Sequence, residues 1–176
     1  MEINKIIVLG YMGSGKSAVG SLLNSELNLT YWDLDHYIED QMQESIASIF
    51  KTKGEIYFRK KERYYLEKVL KTNSSLILSL GGGTPCYYDN MSYLNSLPNT
   101  KTIYLNTSIQ ELSKRLFNAQ SDRPLLKHLE NLEDIQEFVG KHIFERSVFY
   151  NQSHVSIKTD DKTTREVSAL IINELA

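Results

Sequence analysis

The sequence predicts an α/β fold built on a parallel sheet. Strand-like and helix-like patterns alternate from one end of the 176-residue chain to the other, which is typical of parallel strands joined by helices. The first strand-like run, "KIIVLG", is apolar almost throughout, as expected for a strand buried on both faces. The chain is 41% hydrophobic and 24% charged, so its composition is that of an ordinary globular protein.

Each element has its own signal. Short apolar runs followed by turn residues predict the strands "KIIVLG", Tyr31 to Asp33, "SLILSL", "TKTIYLN" and "HVSIKT". Apolar residues at helical spacing predict the helices "SAVGSLLNSEL", "HYIEDQM" with "SIASIF", "GEIYFRKKERYYLEKVLKT", "YYDNMSYLNSL", "SIQELSKRLF", "LEDIQEFVGKHIFERSVFY" and "TTREVSALIINEL". Ser108 is predicted to cap the helix that follows it.

Length and charge exclude several classes of protein. We expect a single domain over residues 1–176. The net charge of -2 provides no basic field, so we expect no nucleic-acid partner. The apolar runs are strand-sized and the N-terminus lacks a signal-peptide pattern, so we expect a cytoplasmic protein with no membrane association. We also expect a monomer. One cysteine excludes an internal disulfide.

A phosphate-binding loop is the clearest motif. "GYMGSGKS", residues 10–17, matches G-x-x-x-x-G-K-[ST] and lies between the first predicted strand and the first predicted helix. The glycines let the backbone wrap around phosphate groups, which the helix N-terminus faces. Lys16 adds positive charge near the β- and γ-phosphates, and Ser17 can bind Mg²⁺. The residues predicted to bind ATP here are Gly13, Ser14, Gly15, Lys16, Ser17 and Ala18.

Two carboxylates follow the second predicted strand in "YWDLD". Side chains alternate along an extended chain, so Asp33 and Asp35 can point the same way. Taken alone, the pair is more typical of a solvated acidic turn. At the carboxyl end of a parallel strand, however, both would face Mg²⁺ and the γ-phosphate. We therefore predict that Asp33 holds water molecules of the metal, and that Asp35 accepts the proton of an attacking hydroxyl.

Further residues are predicted to hold the acceptor. Arg59 and Arg146 suggest an acidic substrate, because arginine binds a carboxylate through two parallel hydrogen bonds. Taken alone, each arginine is more typical of a surface ion pair. Glu62, one turn after Arg59, can hold its guanidinium, and the glycine run Gly81 to Gly83 is a further candidate. We place the substrate-binding region at about residues 33–62.

A polar segment at about residues 118–130 is predicted to be a mobile lid. It contains Pro124 and shows no convincing hydrophobic period. Arg123 precedes that proline, where closure of the lid would carry it onto the transferring phosphate and exclude water. The alternative is a mobile, unbound charge.

The residues by themselves leave two alternatives open. One keeps the kinase reaction but changes the acceptor to gluconate, which also carries a carboxylate, or to a nucleoside monophosphate. The other is a nucleotide-binding module without enzymatic activity. The lysine, serine and acceptor-side carboxylate are all present, and this argues against the second alternative.

In combination, the motifs resemble the shikimate kinases, small members of the nucleoside monophosphate kinase fold. The resemblance covers nearly the whole chain and rests on "GYMGSGKS", "DLD", "SIASIFKTKGEIYFRKKE", "LSLGGGTP", "RPLL" and "ERSVFY", in the family's order. It implies a three-layer α/β/α fold with a five-stranded parallel sheet and a lid around "RPLL". It also implies transfer of the γ-phosphate of ATP to the 3-hydroxyl of shikimate, a step toward chorismate and the aromatic amino acids.

The resemblance further implies a role for individual residues. Asp35 matches the family's carboxylate that binds the substrate hydroxyls, and Arg59 and Arg146 match its carboxylate-binding arginines. Gly82 matches a glycine whose backbone contacts the substrate, and Arg123 matches the lid arginine on ATP. On the metal side, Ser17 corresponds to the direct Mg²⁺ ligand and Asp33 to one that acts through water.

Two departures from the family concern the nucleotide. Ala18 follows Ser17 where the family often has threonine, with little loss expected because Ser17 is the implied ligand. The stretch "SIKTDDKTT" lacks the family's later proline beside adenine. Arg115 lies near the position of the family's adenine-stacking arginine and is included among the residues expected to bind ATP.

Overall fold

A computed structural model describes residues 3–119, 126, 129 and 131–175. The strands are β1 (Lys5–Leu9), β2 (Tyr31–Asp33), β3 (Leu76–Ser79), β4 (Thr100–Asn106) and β5 (Val155–Lys158). The helices are α1 (Lys16–Leu27), α2 (Leu34–Met42), α3 (Ile46–Thr72), α4 (Asn90–Ser96), α5 (Ile109–Asn118), α6 (Leu132–Tyr150) and α7 (Thr164–Leu175). A short 3₁₀ turn spans Thr84–Cys86.

The five strands form one parallel sheet in the order β2-β3-β1-β4-β5. The central strand β1 pairs with β3 and with β4, so that Ile7 lies between Leu78 and Thr102. The chain therefore winds outward in both directions from β1. The carboxyl ends of β1, β2 and β3 meet at one edge, where parallel sheets bind their ligands.

Two apolar cores pack on opposite faces of the sheet. Alternate residues of β1 enter different cores, because side chains along a strand alternate in direction. Ile6 and Val8 pack with α1 and α7, whereas Ile7 and Leu9 pack with residues from the remaining helices. The three-layer α/β/α architecture with a five-stranded parallel sheet is thus confirmed, and the apolar run of β1 follows from burial on both faces.

Three local features can be compared with the predicted elements. The predicted segments "SIASIF" and "GEIYFRKKERYYLEKVLKT" are two helical stretches on either side of a kink at Gly54, whose φ is 79°, and together they make up α3. Helix α4 begins at Asn90, because Tyr87 is extended and Tyr88 has a φ of 53°. The predicted cap is confirmed, since the Ser108 hydroxyl accepts a hydrogen bond from the Glu111 amide.

The predicted lid falls largely outside the described residues, and Arg123 is among those not described. Within residues 3–119 and 131–175, no helix has the length and apolar character required to cross a membrane.

Gly20 provides a test of the packing between α1 and β2. A β-carbon added to Gly20 would lie 2.2 Å from the ring of Tyr31. Overpacking typically costs about 1–3 kcal/mol, and alanine recovers only about 1 kcal/mol of helix propensity. We expect Gly20→Ala to lower the free energy of unfolding by about 1 kcal/mol in urea titration. Ser21→Ala, on the exposed side of the same helix, is the control and should leave the free energy of unfolding unchanged or raise it. Equal stabilisation by both substitutions would contradict the close packing of Gly20 against Tyr31.

Candidate active site

The phosphate loop joins β1 to α1 in a conformation that glycine permits. Gly10, Gly13 and Gly15 all have positive φ values. At Gly10 the constraint is also steric, because an added β-carbon would lie 2.8 Å from Oγ of Ser14 and 3.0 Å from the Leu105 carbonyl oxygen. The loop can therefore close tightly beside β4 before α1 begins.

Lys16 lies over this loop. Its Nζ donates hydrogen bonds to the carbonyl oxygens of Gly10 and Tyr11, at 2.9 and 3.0 Å. A cavity of about 480 Å³ opens next to it. Its lining residues are Met12, Gly13, Gly15, Lys16, Ser17, Ala18, Asp33, Asp35, Leu80, Gly81, Gly82, Arg115 and Ala119. Loop amides, a lysine and two carboxylates thus converge on one space, a suitable arrangement for a phosphate chain and its cation.

Two of the residues predicted to bind ATP, Ser14 and Arg115, donate hydrogen bonds to carbonyl groups of the phosphate loop. Ser14 is outside the cavity lining: its side chain is buried and its amide donates to the Tyr11 carbonyl at 3.2 Å. Arg115 lies at the rim, where its Nη1 donates to the Gly13 carbonyl at 3.3 Å and its Nε pairs with Glu111 at 2.8 Å. Arg115 therefore connects α5 to the phosphate loop.

Asp33 has a structural function at the end of β2. One of its carboxylate oxygens accepts hydrogen bonds from the amides of Asp35 and His36, at 3.0 and 3.3 Å. It is thus the N-cap of α2. Asp35 therefore lies in the first turn of a helix and not on the extended chain predicted for both aspartates, because the cap at Asp33 ends the strand. Both carboxylates nevertheless line the same cavity.

The carboxylate of Asp35 is poised to exchange a proton near neutral pH. Burial raises its pKa to about 6, and repulsion from Asp33 and Glu62 acts in the same direction. The positive charges of Lys16 and Arg59 oppose the rise. A carboxylate with this pKa can accept a proton more readily than an ordinary surface aspartate and is still largely ionised at neutral pH.

The glycine run after β3 brings three functional side chains together. A β-carbon at Gly81 would lie 2.6 Å from Oδ1 of Asp35, and one at Gly83 would lie 2.6 Å from Nη2 of Arg59. At Gly82, between them, a β-carbon would be 3.6 Å from Nη1 of another residue, Arg146. The three glycines therefore let a carboxylate and two guanidinium groups approach one stretch of backbone.

Arg59 is held from the protein interior by Glu62. Its Nη1 donates to both carboxylate oxygens of Glu62, at 3.1 and 2.9 Å, and the Thr84 hydroxyl donates to the same carboxylate at 2.7 Å. Glu62 is only 1% exposed. Burial raises the pKa of Glu62, and the Arg59 charge and the Thr84 hydroxyl oppose the rise. The predicted role of Glu62 as the partner of Arg59 agrees with this geometry.

The outer edge of Arg59 faces a second cavity of about 660 Å³. There its Nη2 lies 3.3 Å from Glu55, whose carboxylate also accepts a hydrogen bond from the Tyr87 hydroxyl at 2.6 Å. The guanidinium carbon lies 4.0 Å from the centre of the Tyr87 ring. Arg146 lines the same cavity from α6, together with Phe50. Two arginines therefore face one partly aromatic space beside the glycine run.

The donor set suits a magnesium ion carried by nucleotide phosphates. Mg²⁺ usually binds through one or two protein oxygens together with phosphates and water. Ser17 and Asp33 line the phosphate-loop cavity and can supply such oxygens. In the described part of the chain, no group of three or more His, Cys, Asp or Glu side chains is placed to hold a metal ion.

Several residues in this site were not predicted from sequence. Thr84 follows the glycine run directly, and a hydroxyl next to three glycines is a signal in the sequence that could have indicated its contact with Glu62. Glu55 and Tyr87 are 32 residues apart in sequence, and no spacing pattern indicated that both contact Arg59. Arg123 keeps the status of a prediction, since it lies outside the described residues.

The repulsion between Asp33 and Asp35 can be tested without disturbing the helix cap. Because asparagine caps as well as aspartate, we expect Asp33→Asn to preserve thermal stability and to lower the pKa of Asp35 in the ligand-free protein, measured by carboxyl-carbon NMR. In the native protein, protonated Asp35 contributes stability that declines as pH rises from 3.8 to about 6. Because Asp33→Asn lowers the pKa of Asp35, this decline should end at a lower pH in the variant. Asp33→Ala, the control, should also lose about 0.5–2 kcal/mol of stability. An unchanged Asp35 pKa in Asp33→Asn would refute the coupling.

Comparison with known proteins identifies relatives along nearly the whole chain. The family model described as "Shikimate kinase" matches residues 12–176. The shikimate kinase of Flavobacterium psychrophilum is 41% identical over 165 residues, covering 94% of this chain and 95% of that protein. The shikimate kinase of Flavobacterium johnsoniae is 38% identical over 174 residues, covering 99% and 100%.

Solved structures give the same result. The shikimate kinase of Bacteroides thetaiotaomicron aligns with a TM-score of 0.87 at 32% identity, covering 98% of this chain and 97% of that one. The shikimate kinase of Acinetobacter baumannii in complex with shikimate aligns with a TM-score of 0.85 at 27% identity, covering 98% and 93%. The fold is therefore that of the P-loop kinases of the nucleoside monophosphate kinase type. With this sheet, phosphate loop and set of relatives, the chain belongs to the shikimate kinase family and is a small-molecule kinase.

Proposed function

We propose that this protein transfers the γ-phosphate of ATP to the 3-hydroxyl of shikimate, giving shikimate 3-phosphate on the route to chorismate. The observation that carries the proposal is the placement of Asp35, Arg146 and Arg59 against Gly81, Gly82 and Gly83, directly beside the phosphate loop. A carboxylate for hydroxyl groups and two arginines for an acid thus lie along one backbone segment. The relative from Acinetobacter baumannii, solved in complex with shikimate, supports the choice of acceptor.

The acceptor is proposed to bind with its carboxylate between the two arginines. Arg59 is already oriented by Glu62, which fixes one edge of the guanidinium and leaves the other edge toward the second cavity. Arg146 approaches from α6. The ring of shikimate would then extend along the glycine run toward Asp35, and the backbone of Gly82 would contact it.

ATP is proposed to bind in the phosphate-loop cavity. Gly13, Gly15, Lys16, Ser17 and Ala18 line that cavity. Ser14 contributes by shaping the loop, and Arg115 lies at the side where the adenine is expected. Mg²⁺, held by Ser17 directly and by Asp33 through water, would neutralise phosphate charge when bound.

Catalysis is proposed to rest on positioning and charge neutralisation. Asp35 accepts a hydrogen bond from the acceptor's hydroxyl and then its proton, while Lys16 stabilises charge on the transferring phosphoryl group. The pKa of about 6 for Asp35 is suitable for this transfer. Arg123 is proposed to join from the lid and exclude water. We further propose that the protein acts as a monomer in the cytoplasm.

The first test is ADP release by the purified protein with Mg²⁺ and ATP. We expect turnover with shikimate and little with gluconate or nucleoside monophosphates, because the relatives are shikimate kinases and one of them is solved in complex with shikimate. The paired arginines alone do not separate shikimate from gluconate, since both carry a carboxylate. Asp35→Asn and Lys16→Met should each reduce kcat at least about 100-fold, since removing a general base or one charge-stabilising group has effects of this order.

Binding and folding controls separate chemistry from structure. Both variants should keep the thermal unfolding midpoint within a few degrees, and Asp35→Asn should still bind ATP. Near-normal turnover by either variant would contradict the role proposed for the residue that it replaces. Activity with gluconate but not with shikimate would replace the proposed acceptor, and ATP binding without turnover of any acceptor would favour a non-enzymatic module.

The acid-binding role of the arginines gives a second test. Arg59→Lys and Arg146→Lys each keep the charge but lose the paired hydrogen bonds. We expect KM for shikimate to rise about 10-fold or more in each variant, a loss of about 1.4 kcal/mol, with KM for ATP nearly unchanged. Lys60→Arg, on the exposed face of α3, is the matched control. An unchanged KM for shikimate in both arginine variants would remove the arginines from acceptor binding.

A further inference from the structure

The phosphate loop and helix α6 are joined by a side-chain contact that takes no part in the roles assigned above. Tyr11, the second residue of the loop, is only 1% exposed. Its hydroxyl lies 2.7 Å from Nδ1 of His142, at hydrogen-bond distance. The ring of Tyr11 therefore points away from the phosphate cavity and toward the helix that carries Arg146.

The same ring supports that arginine. The guanidinium carbon of Arg146 lies 5.4 Å from the centre of the Tyr11 ring, within the range in which a cation is attracted to an aromatic face. Arg146 is one helical turn beyond His142, so both face the loop from the same side of α6. The ring that His142 holds is thus the surface on which the guanidinium lies.

Two further residues on the same side of α6, one before His142 and one after Arg146, contact the rest of the protein. Phe138, one turn before His142, packs edge-on against the imidazole with ring centres 4.3 Å apart. Tyr150, one turn after Arg146, donates a hydrogen bond to the Gly82 carbonyl at 2.5 Å. The residues 138, 142, 146 and 150 therefore form a stripe that contacts the phosphate loop at one end and the glycine run at the other.

The link is between two groups that are uncharged at neutral pH. Burial raises the pKa of Tyr11 to about 12. Burial also lowers the pKa of His142, and the neighbouring charge of Arg146 acts in the same direction. A neutral hydrogen bond of this kind changes an equilibrium by about 3- to 10-fold.

We propose that Tyr11 and His142 are positioning residues for the acid acceptor: their hydrogen bond fixes the Tyr11 ring, and the ring fixes the guanidinium of Arg146 beside Gly82. The inference rests on the acceptor-binding role proposed for Arg146. The carbonyl of Tyr11 accepts a hydrogen bond from Lys16 on the phosphate side. One loop residue therefore sets the spacing between the transferring phosphate and the acceptor's carboxylate, on which alignment of the hydroxyl depends.

The test compares variants that remove only the link. Tyr11→Phe keeps the ring beneath Arg146 but loses the hydroxyl, and His142→Phe removes its partner. We expect each to raise KM for shikimate about 3- to 10-fold, with KM for ATP within about 2-fold of the unchanged protein. His142→Asn, which can place a polar atom near the position of Nδ1, should recover much of the loss. Tyr64→Phe, which removes an exposed tyrosine hydroxyl on α3, is the matched control and should change neither constant.

A double-mutant cycle then asks whether the pair acts through Arg146. Calorimetric titration with shikimate should show that Tyr11→Phe weakens binding in the native background and changes Kd less than about 2-fold in the Arg146→Lys background. Additive losses in that cycle, a rise in KM for ATP instead of shikimate, or no effect of Tyr11→Phe would overturn the inference.

A failure of the proposed function can be distinguished from a failure of this inference. If the unchanged protein neither binds nor phosphorylates shikimate, the acceptor assignment is wrong. If it does both and the Tyr11 and His142 variants match it, only the positioning role is wrong. Thermal unfolding of each variant shows whether a change in KM or Kd for shikimate results from unfolding of the protein.

Discussion

The absence of side chains at Gly81, Gly82 and Gly83 is the constraint on which the site depends. A carboxylate and two guanidinium groups press against this one stretch of backbone, and a single methyl group at Gly81 or Gly83 would lie within 2.6 Å of one of them. The sheet brings the stretch to the correct place, since β3 lies between β2, which leads to Asp35, and β1, which leads to the phosphate loop. The parallel sheet aligns the two halves of the site, and the glycines allow them to touch.

Electrostatic pairing organises the acceptor side around this backbone. Glu62 is almost fully buried and would be costly as an isolated charge, but it has two hydrogen bonds from Arg59 and one from Thr84. This pairing holds the guanidinium of Arg59 in one orientation. Burial is the main reason that the pKa of Asp35 is raised; the charges of Asp33 and Glu62 add to the rise, and those of Lys16 and Arg59 oppose it.

Sequence alone predicted those parts that depend on local pattern. The apolar run of β1, the phosphate-loop motif and the Ser108 cap are all signals within a few residues. The i, i+3 spacing predicted that Arg59 and Glu62 pair, and the ion pair is present at 2.9 Å. The start of α4 depends on packing around Tyr87, and local propensity does not report such packing. The kink at Gly54, in contrast, lies where the longer helix is predicted to begin and uses the positive φ that glycine permits. The contact between Tyr11 and His142 joins residues 131 positions apart, and only the fold brings them together.

The pairing of Glu55 with the outer edge of Arg59 has a consequence for how an acid enters. In the proposed binding mode, the incoming carboxylate would meet an arginine that already has a carboxylate partner on that edge, so binding there would be an exchange of anions. The displaced partner is half exposed, and exposed ion pairs of this kind contribute only about 0–1 kcal/mol. Giving up the ion pair with Glu55 therefore costs little free energy, and the number of ion pairs at Arg59 stays constant. Ionic strength should then influence acceptor affinity at this arginine far less than it would at an unpaired cation.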